Sequence, residues 1–229
     1  MKKKKPISKE KHKFEEERAR EILAYVFPAK YTKSVLQESP DIYVPDLGIG
    51  IEVTDGIKTS IQENLSWVSD ITGKTTEELS YWNIQHIQKQ DVQVSVLPNG
   101  QHIASFAFWG NEYDIISAYQ NKLDKLNKTH FKRYKENNLF IYVWMIEEDD
   151  IEHEITELVQ QIQNDNEFFI CKFDYVYIFS GKNLFSITVK NKSVEKFPIS
   201  SDVMNQISNG SFEKVLGMPR DQYYRNNRM

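Results

Sequence analysis

The chain has 229 residues, of which 40% are hydrophobic and 27% charged, enough to bury a sizeable core in one large domain. Its single cysteine, Cys171, excludes an intramolecular disulfide and a cysteine-rich zinc site, and 9 Gly with 7 Pro exclude a loop-dominated or low-complexity chain. A formal net charge of −4 is not the footprint of a protein that coats nucleic acid, and no apolar stretch approaches the ~20 residues needed to span a bilayer.

Residues 1–6 are basic but lack the apolar run of a secretory signal, so the cytoplasm is the expected compartment. The first periodic segment covers residues 9–27 and is closed by Pro28, with Ala19, Ile22, Leu23 and Val26 on one helical face. One turn back along that face lies Glu15, with Glu16 beside it. These carboxylates read either as site residues in line with an apolar stripe or as charge complementing a helix N-terminus. From residue 34 to 54 the period changes to two. Asp41-Ile42-Tyr43-Val44, a Pro45-Asp46-Leu47-Gly48 turn and Ile49-Gly50-Ile51-Glu52-Val53-Thr54 predict a hairpin. Ile49, Ile51 and Val53 share one face of its second strand, and Gly50, Glu52 and Thr54 share the other.

Residues 57–89 read as helical and polar, broken near Thr72-Gly73-Lys74. Runs at 92–96 and 103–108 around Pro98-Asn99-Gly100 predict a second hairpin. A helix is expected over about 112–127, with Ile115, Ile116, Tyr119, Leu123 and Leu126 on one face. The nearly continuous apolar run at 139–145 suits a strand covered on both sides. Ile151, Ile155, Leu158, Val159 and Ile162 mark another amphipathic helix, and 175–179 with 184–189 flank Gly181-Lys182-Asn183 as a last hairpin. The order predicts an α/β fold, a mixed central sheet flanked by helices. The last dozen residues are polar and are expected to be loosely held.

Asp41 and Glu52 carry the chemistry. On two strands of one hairpin their carboxylates can converge, and two hard oxygen donors suit Mg²⁺ or Mn²⁺, which take one or two carboxylates plus water and phosphate oxygens. Glu52 lies between Ile51 and Val53 in an apolar strand, where a buried carboxylate without a partner or cation is costly. Other features have plainer readings. None of the five histidines forms a metal-ligand pair. Trp82, Trp109 and Trp144 sit in apolar patterns and are expected in the core, as is Cys171 within Phe168-Phe169-Ile170-Cys171. His130-Phe131-Lys132-Arg133-Tyr134 reads equally as a phosphate- and base-contacting cluster or as an exposed helix end.

Pro40-Asp41, the eleven-residue step to Glu52, and Glu52-Val53-Thr54 following Ile49-Gly50-Ile51 resemble the restriction-endonuclease-like, or PD-(D/E)XK, superfamily. The resemblance implies a restriction-endonuclease-like core occupying residues 1–229 as one domain, with a helical insert at about 57–89 and an extension at about 151–190. It implies that Asp41 and Glu52 bind Mg²⁺ or Mn²⁺, that the Val53 carbonyl adds a ligand, and that Glu15 or Glu16 completes the set. The implied activity is metal-dependent hydrolysis of DNA phosphodiester bonds, with a homodimer as a possible assembly and no membrane partner. Thr54 departs from the pattern, because the family has a lysine there and a hydroxyl supplies no positive charge. Lys122 is the first candidate to replace it and Lys125 the next, although solvation of their helix is the plainer reading for either one. Two alternatives stay open: a nuclease-like scaffold without catalysis that binds nucleic acid or protein, and a structural protein in which Asp41 and Glu52 pair with nearby cations.

Overall fold

Helix α1 (Ile7–Val26) forms where the 3.6-residue spacing predicts it, and Ala19, Ile22 and Leu23 are fully buried along its apolar stripe. The computed structural model describes residues 7–88, 93–105, 114–143 and 148–219. Pro28 cannot donate the hydrogen bond that would continue α1, so it ends the helix and opens a single further turn, α2 (Pro28–Tyr31). Two compact units emerge, one of Met1–Gly56 with Ile115–Met229 and one of Ile57–Asp114.

The first unit is a mixed seven-stranded sheet. Its strands are β1 (Val35–Leu36), β2 (Ile42–Val44), β3 (Ile49–Asp55), β6 (Glu136–Tyr142), β7 (Tyr175–Phe179), β8 (Asn183–Thr188) and β9 (Ser193–Pro198), in the order β1-β2-β3-β6-β7-β8-β9. Strands β1, β2 and β3 form an antiparallel meander, β3, β6 and β7 run parallel, and β7, β8 and β9 are antiparallel again. The expected hairpin is the β2–β3 pair, with Ile42 opposite Ile51 and Val44 opposite Ile49. Gly48, at φ +67°, closes its turn and donates its N–H to Val44 O at 2.9 Å.

Alternation along β3 decides what each face meets. Ile49 and Ile51 join Phe140, Tyr142, Tyr177 and Phe179 in one core with the stripe of α1. The opposite face of β3 and β6 meets α5 (Ile115–Asn127), whose Ile115, Tyr119, Leu123 and Leu126 are buried, and α6 (Glu148–Phe168) packs beside α5. A strand covered on both faces has no reason to alternate, which accounts for the unbroken apolar burial of Leu139 to Tyr142. Helix α7 (Ser201–Leu216) lies against α1. An ion network stitches that contact: Arg20 binds both carboxylate oxygens of Glu17 at 2.7 and 2.8 Å, and Lys214 reaches Glu17 and Glu21.

Two elements, β9 and α7, carry no strong hydrophobic period and are not among the predicted elements. Helix α7 is marked instead by its ends, with Ser200 accepting a hydrogen bond from Val203 N–H and Gly217 taking φ +69° just past the last turn.

The second unit holds α3 (Thr59–Ile71), a 3₁₀ turn (Thr76–Glu78), α4 (Tyr81–Gln88) and the β4 (Gln93–Val96)–β5 (His102–Ser105) hairpin. The expected break falls at Gly73, at φ +83°, whose N–H donates to His102 O at 2.8 Å. This unit begins where the helical insert was expected to begin and takes in the hairpin as well. Its small core is Ile71 and Ala104 with Trp67, Val68, Leu79, Ile87 and Val94 around them. The expectation of a core Trp82 fails: its side chain is 64% exposed and packs edge-on against Tyr81, because the short α4 turns Asn83 and Ile87 inward instead. Cys171 is only half-buried, since Phe168 and Ile170 beside it project into solvent. Trp109, Trp144 and the run ends at 92, 106–108 and 144–145 lie outside the described residues, as do residues 1–6 and 220–229.

Gly50 is the tightest point of the β2–β3 hairpin. A Cβ there would stand 2.6 Å from Tyr134 Cδ2 and 2.9 Å from Pro40 Cγ. The Tyr134 ring also meets Tyr43 and its hydroxyl donates to Ser39 O at 3.0 Å, so this aromatic ring braces the turn that leads into Asp41. Gly50→Ala is expected to cost about 1–3 kcal/mol in urea denaturation through overpacking. Adding Tyr134→Ala to it should cost less than the sum of the two single changes. Full additivity would show that the ring does not set the requirement for glycine.

Candidate metal centre

Four of the sequence-predicted side chains come from three elements and one connecting segment of the first unit. Glu16 lies on α1, Asp41 just ahead of β2, Glu52 in the middle of β3 and Lys122 on α5. Helix α1 begins at Ile7, so Glu15 and Glu16 lie beyond its first turn and the helix dipole does not account for them.

Glu52 is the fixed point. Its side chain is only 5% exposed, and it projects from β3 on the face opposite Ile51, toward α5. Lys122 Nζ donates to Glu52 Oε2 at 2.9 Å and Lys125 Nζ donates to the same oxygen at 2.7 Å. Residues 122 and 125 are three apart, hence neighbours on one side of α5. Lys122 is 19% exposed and Lys125 46% exposed. Both lysines therefore answer the buried carboxylate, and the reading that they merely solvate the helix falls away. The other oxygen, Glu52 Oε1, is buried with no hydrogen-bond partner among the described residues. An unanswered lone pair at that depth leaves room for a further cation or donor.

Asp41 is aimed by the backbone of the neighbouring strand, with Val53 N–H donating to Asp41 Oδ2 at 2.7 Å. Val53 thus contributes its N–H to the geometry beside Asp41. Thr54 follows on β3, half-buried and level with Ile141 of β6. The Glu15 backbone oxygen accepts from the Tyr142 hydroxyl at 2.8 Å, tying this part of α1 to the end of β6.

The electrostatics bind these groups into one cluster. Burial pushes the Asp41 carboxyl up, and the nearby Glu52 charge pushes the same way, outweighing the Val53 N–H and the two lysines. Burial also pushes the Glu52 carboxyl up, but the Lys122 charge and the hydrogen bonds from both lysines hold it below its ordinary range. Glu16 is raised to about 7, by burial first and by the Asp41 charge second. Asp41 thus repels both Glu16 and Glu52, the arrangement of carboxylates that a divalent cation relieves. Among the described residues no three His, Cys, Asp or Glu side chains close to ligand spacing, so the arrangement amounts to two carboxylates, Asp41 and Glu52, with Glu16 nearby. Two carboxylates with water and phosphate oxygens suffice for Mg²⁺.

The Lys125 link to Glu52 was legible only as a second choice, and the orphaned Oε1 had no signal in the sequence. The basic–aromatic cluster at 130–134 divides differently from either reading: Tyr134 is spent on Gly50 and Pro40, and Arg133 Nε donates to Leu126 O at 3.3 Å. Comparison with family profiles, with curated proteins and with solved structures returns no match. No helix among the described residues is long and apolar enough to cross a membrane.

Two outcomes are expected. Lys122→Met should destabilise the fold by about 2–3 kcal/mol, because it weakens the pairing of a buried carboxylate, whereas Lys125→Met should cost under about 1 kcal/mol because solvent already screens that pair. Urea denaturation checks the ranking, and equal costs would contradict it. The raised Glu16 pKa gives a pH dependence with a definite sign. The folded chain holds a proton there that the unfolded chain releases above its ordinary 4.5, so this contribution is present below pH 4.5 and is lost as pH rises through about 7. Between those values the urea midpoint of the wild type should fall relative to Glu16→Gln, and parallel midpoints would show that Glu16 is not held in this way.

Proposed function

We propose that the chain is a metal-dependent nuclease that hydrolyses DNA phosphodiester bonds, built on a restriction-endonuclease-like core. The observation that carries this reading is the Glu52 carboxylate. One of its oxygens is met by the two lysines of α5, the other is buried with no partner among the described residues, and the Asp41 carboxyl feels the charge of the group. The order of elements supports it, since a helix, an antiparallel three-strand meander, a helix and a parallel strand occur as α1, β1-β2-β3, α5 and β6.

Asp41 and Glu52 would hold a Mg²⁺ or Mn²⁺ ion, with Glu16 and the Val53 carbonyl as further donors. When bound, such an ion supplies a Lewis acid and lowers the pKa of water to the range where hydroxide is available near neutral pH. The residues of the chain do the rest. Val53 N–H orients Asp41, and Tyr134 against Gly50 holds the turn from which Asp41 projects. Lys122 would supply a fixed positive charge beside Glu52 to offset the charge on the phosphoryl oxygens as a water oxygen, giving up a proton to solvent, bonds to phosphorus and the bridging P–O bond breaks, its oxygen taking up a proton from solvent. Thr54, neutral and half-buried, leaves that task to the helix.

A second reading draws on the same Thr54. A site whose central carboxylate is already neutralised by two lysines also suits a scaffold that binds nucleic acid or protein without cutting it. Titration of Mn²⁺ into wild type and the Asp41→Asn/Glu52→Gln double variant, followed by plasmid cleavage with both, separates the two. The nuclease reading expects binding and cutting that are lost together in the variant. Plasmid retention without cutting in the wild type assigns the scaffold, and absence of Mn²⁺ binding in the wild type sinks the metal centre.

A further inference from the structure

Lys122 and Lys125 approach one oxygen of Glu52 from unlike positions. Lys122 stands within the buried stripe of α5, one residue from Leu123 and one turn from Leu126, and its stem is held there. Lys125 stands at the edge of that stripe, nearly half exposed, with its ammonium 5.2 Å from the centre of the Phe131 ring. Two ammonium groups already balance the charges of Glu52 and Asp41, both of which feel them. A divalent cation held by Asp41 and Glu52 adds like charge beside both ammonium groups in a partly desolvated site, where Coulomb repulsion is strong. The group able to yield is the one whose flexible stem already reaches solvent.

We infer that Lys125 is a displaceable counter-ion of Glu52: it neutralises the carboxylate until a divalent cation takes over that task, and then turns to a phosphate oxygen of the nucleic-acid strand. The inference rests on the metal-dependent reading given above. Lys122 stays with Glu52 throughout, so the two lysines divide the work, one as a permanent charge of the site and the other as a link between metal loading and substrate binding. Phe131 gives the released ammonium an aromatic surface beside the site.

The test is isothermal titration of Mn²⁺ into wild type, Lys125→Met and Lys125→Gln, with the Asp41→Asn/Glu52→Gln variant as reference. Loss of a competing internal cation should tighten Mn²⁺ binding about tenfold in both Lys125 variants, within the span of ordinary couplings between sites. Equal or weaker binding in both, with binding abolished in the reference, would overturn the inference and leave the metal centre standing. Absence of Mn²⁺ binding in every chain overturns the metal reading itself. A second arm follows binding of a phosphorothioate DNA duplex against salt concentration. With Mn²⁺ present the salt slope of wild type should exceed that of Lys125→Met by about one, and without Mn²⁺ the slopes should agree. Slopes that agree in both conditions sink the phosphate half of the proposal. Lys125→Gln, which keeps a donor near Glu52, guards against a folding defect in Lys125→Met.

Discussion

A carboxylate in the middle of an apolar strand has to be answered by positive charge, and much of the first unit is arranged around Glu52. Water cannot supply the answer at that depth, and β6 beside β3 offers an apolar side chain, Leu139, at the matching level. The charge therefore comes from the helix that covers this face. Helix α5 has to lie with residues 122 and 125 over β3, and the burial of Tyr119, Leu123 and Leu126 along the same side holds it in that register. Packing and electrostatics specify one placement, which is what a single native arrangement requires.

The other face of the sheet is tied by phenol and amide groups. Tyr31 and Tyr177 share a hydrogen bond of 2.7 Å between their hydroxyls, and Asn138 Nδ2 donates to Tyr31 at 3.1 Å while its oxygen accepts from Tyr175 N–H. Burial raises both phenols far above their ordinary range, so they stay protonated and act as donors and acceptors within the core. Charge enters at the rim of this group, where Glu136 Oε1 accepts from Asn138 Nδ2 at 2.6 Å and pairs with Lys30.

What could be read from the sequence follows from which forces are local. The β2–β3 hairpin was legible because alternation and a Pro45–Gly48 turn act over a few residues, and it put Asp41 and Glu52 together without any tertiary knowledge. Helix α5 was legible from its stripe, but the reach of Lys122 and Lys125 to a strand seventy residues earlier depends on how α5 docks, and only docking decides between a solvated lysine and a buried partner. Helix α7 has a weak apolar period, yet Ser200 and Gly217 mark its ends, so capping chemistry held information that periodicity did not. Trp82 and the run Phe168-Phe169-Ile170 misled for the opposite reason: apolar composition alone says nothing of which way a short helix or its last turn faces. The domain-scale division at Ile57 had only the start of a polar helical stretch to announce it.

On the proposed nuclease reading, neutral Thr54 leaves the positive charge of the site to α5. A lysine there would share the face of Glu52 two residues along the same strand, at a spacing set by strand geometry alone. With the lysines on α5, their distance from Glu52 depends instead on the seating of a separate helix against the sheet. Leu123 and Leu126, far too apolar to touch a phosphate, then become determinants of where positive charge stands in the site. A strand-borne lysine keeps its register as long as the strand exists, whereas a helix-borne lysine holds its register only while α5 is packed. The same dependence lets α5 carry two lysines of unequal exposure, an arrangement that adjacent positions on a buried strand could not offer because their side chains point to opposite faces.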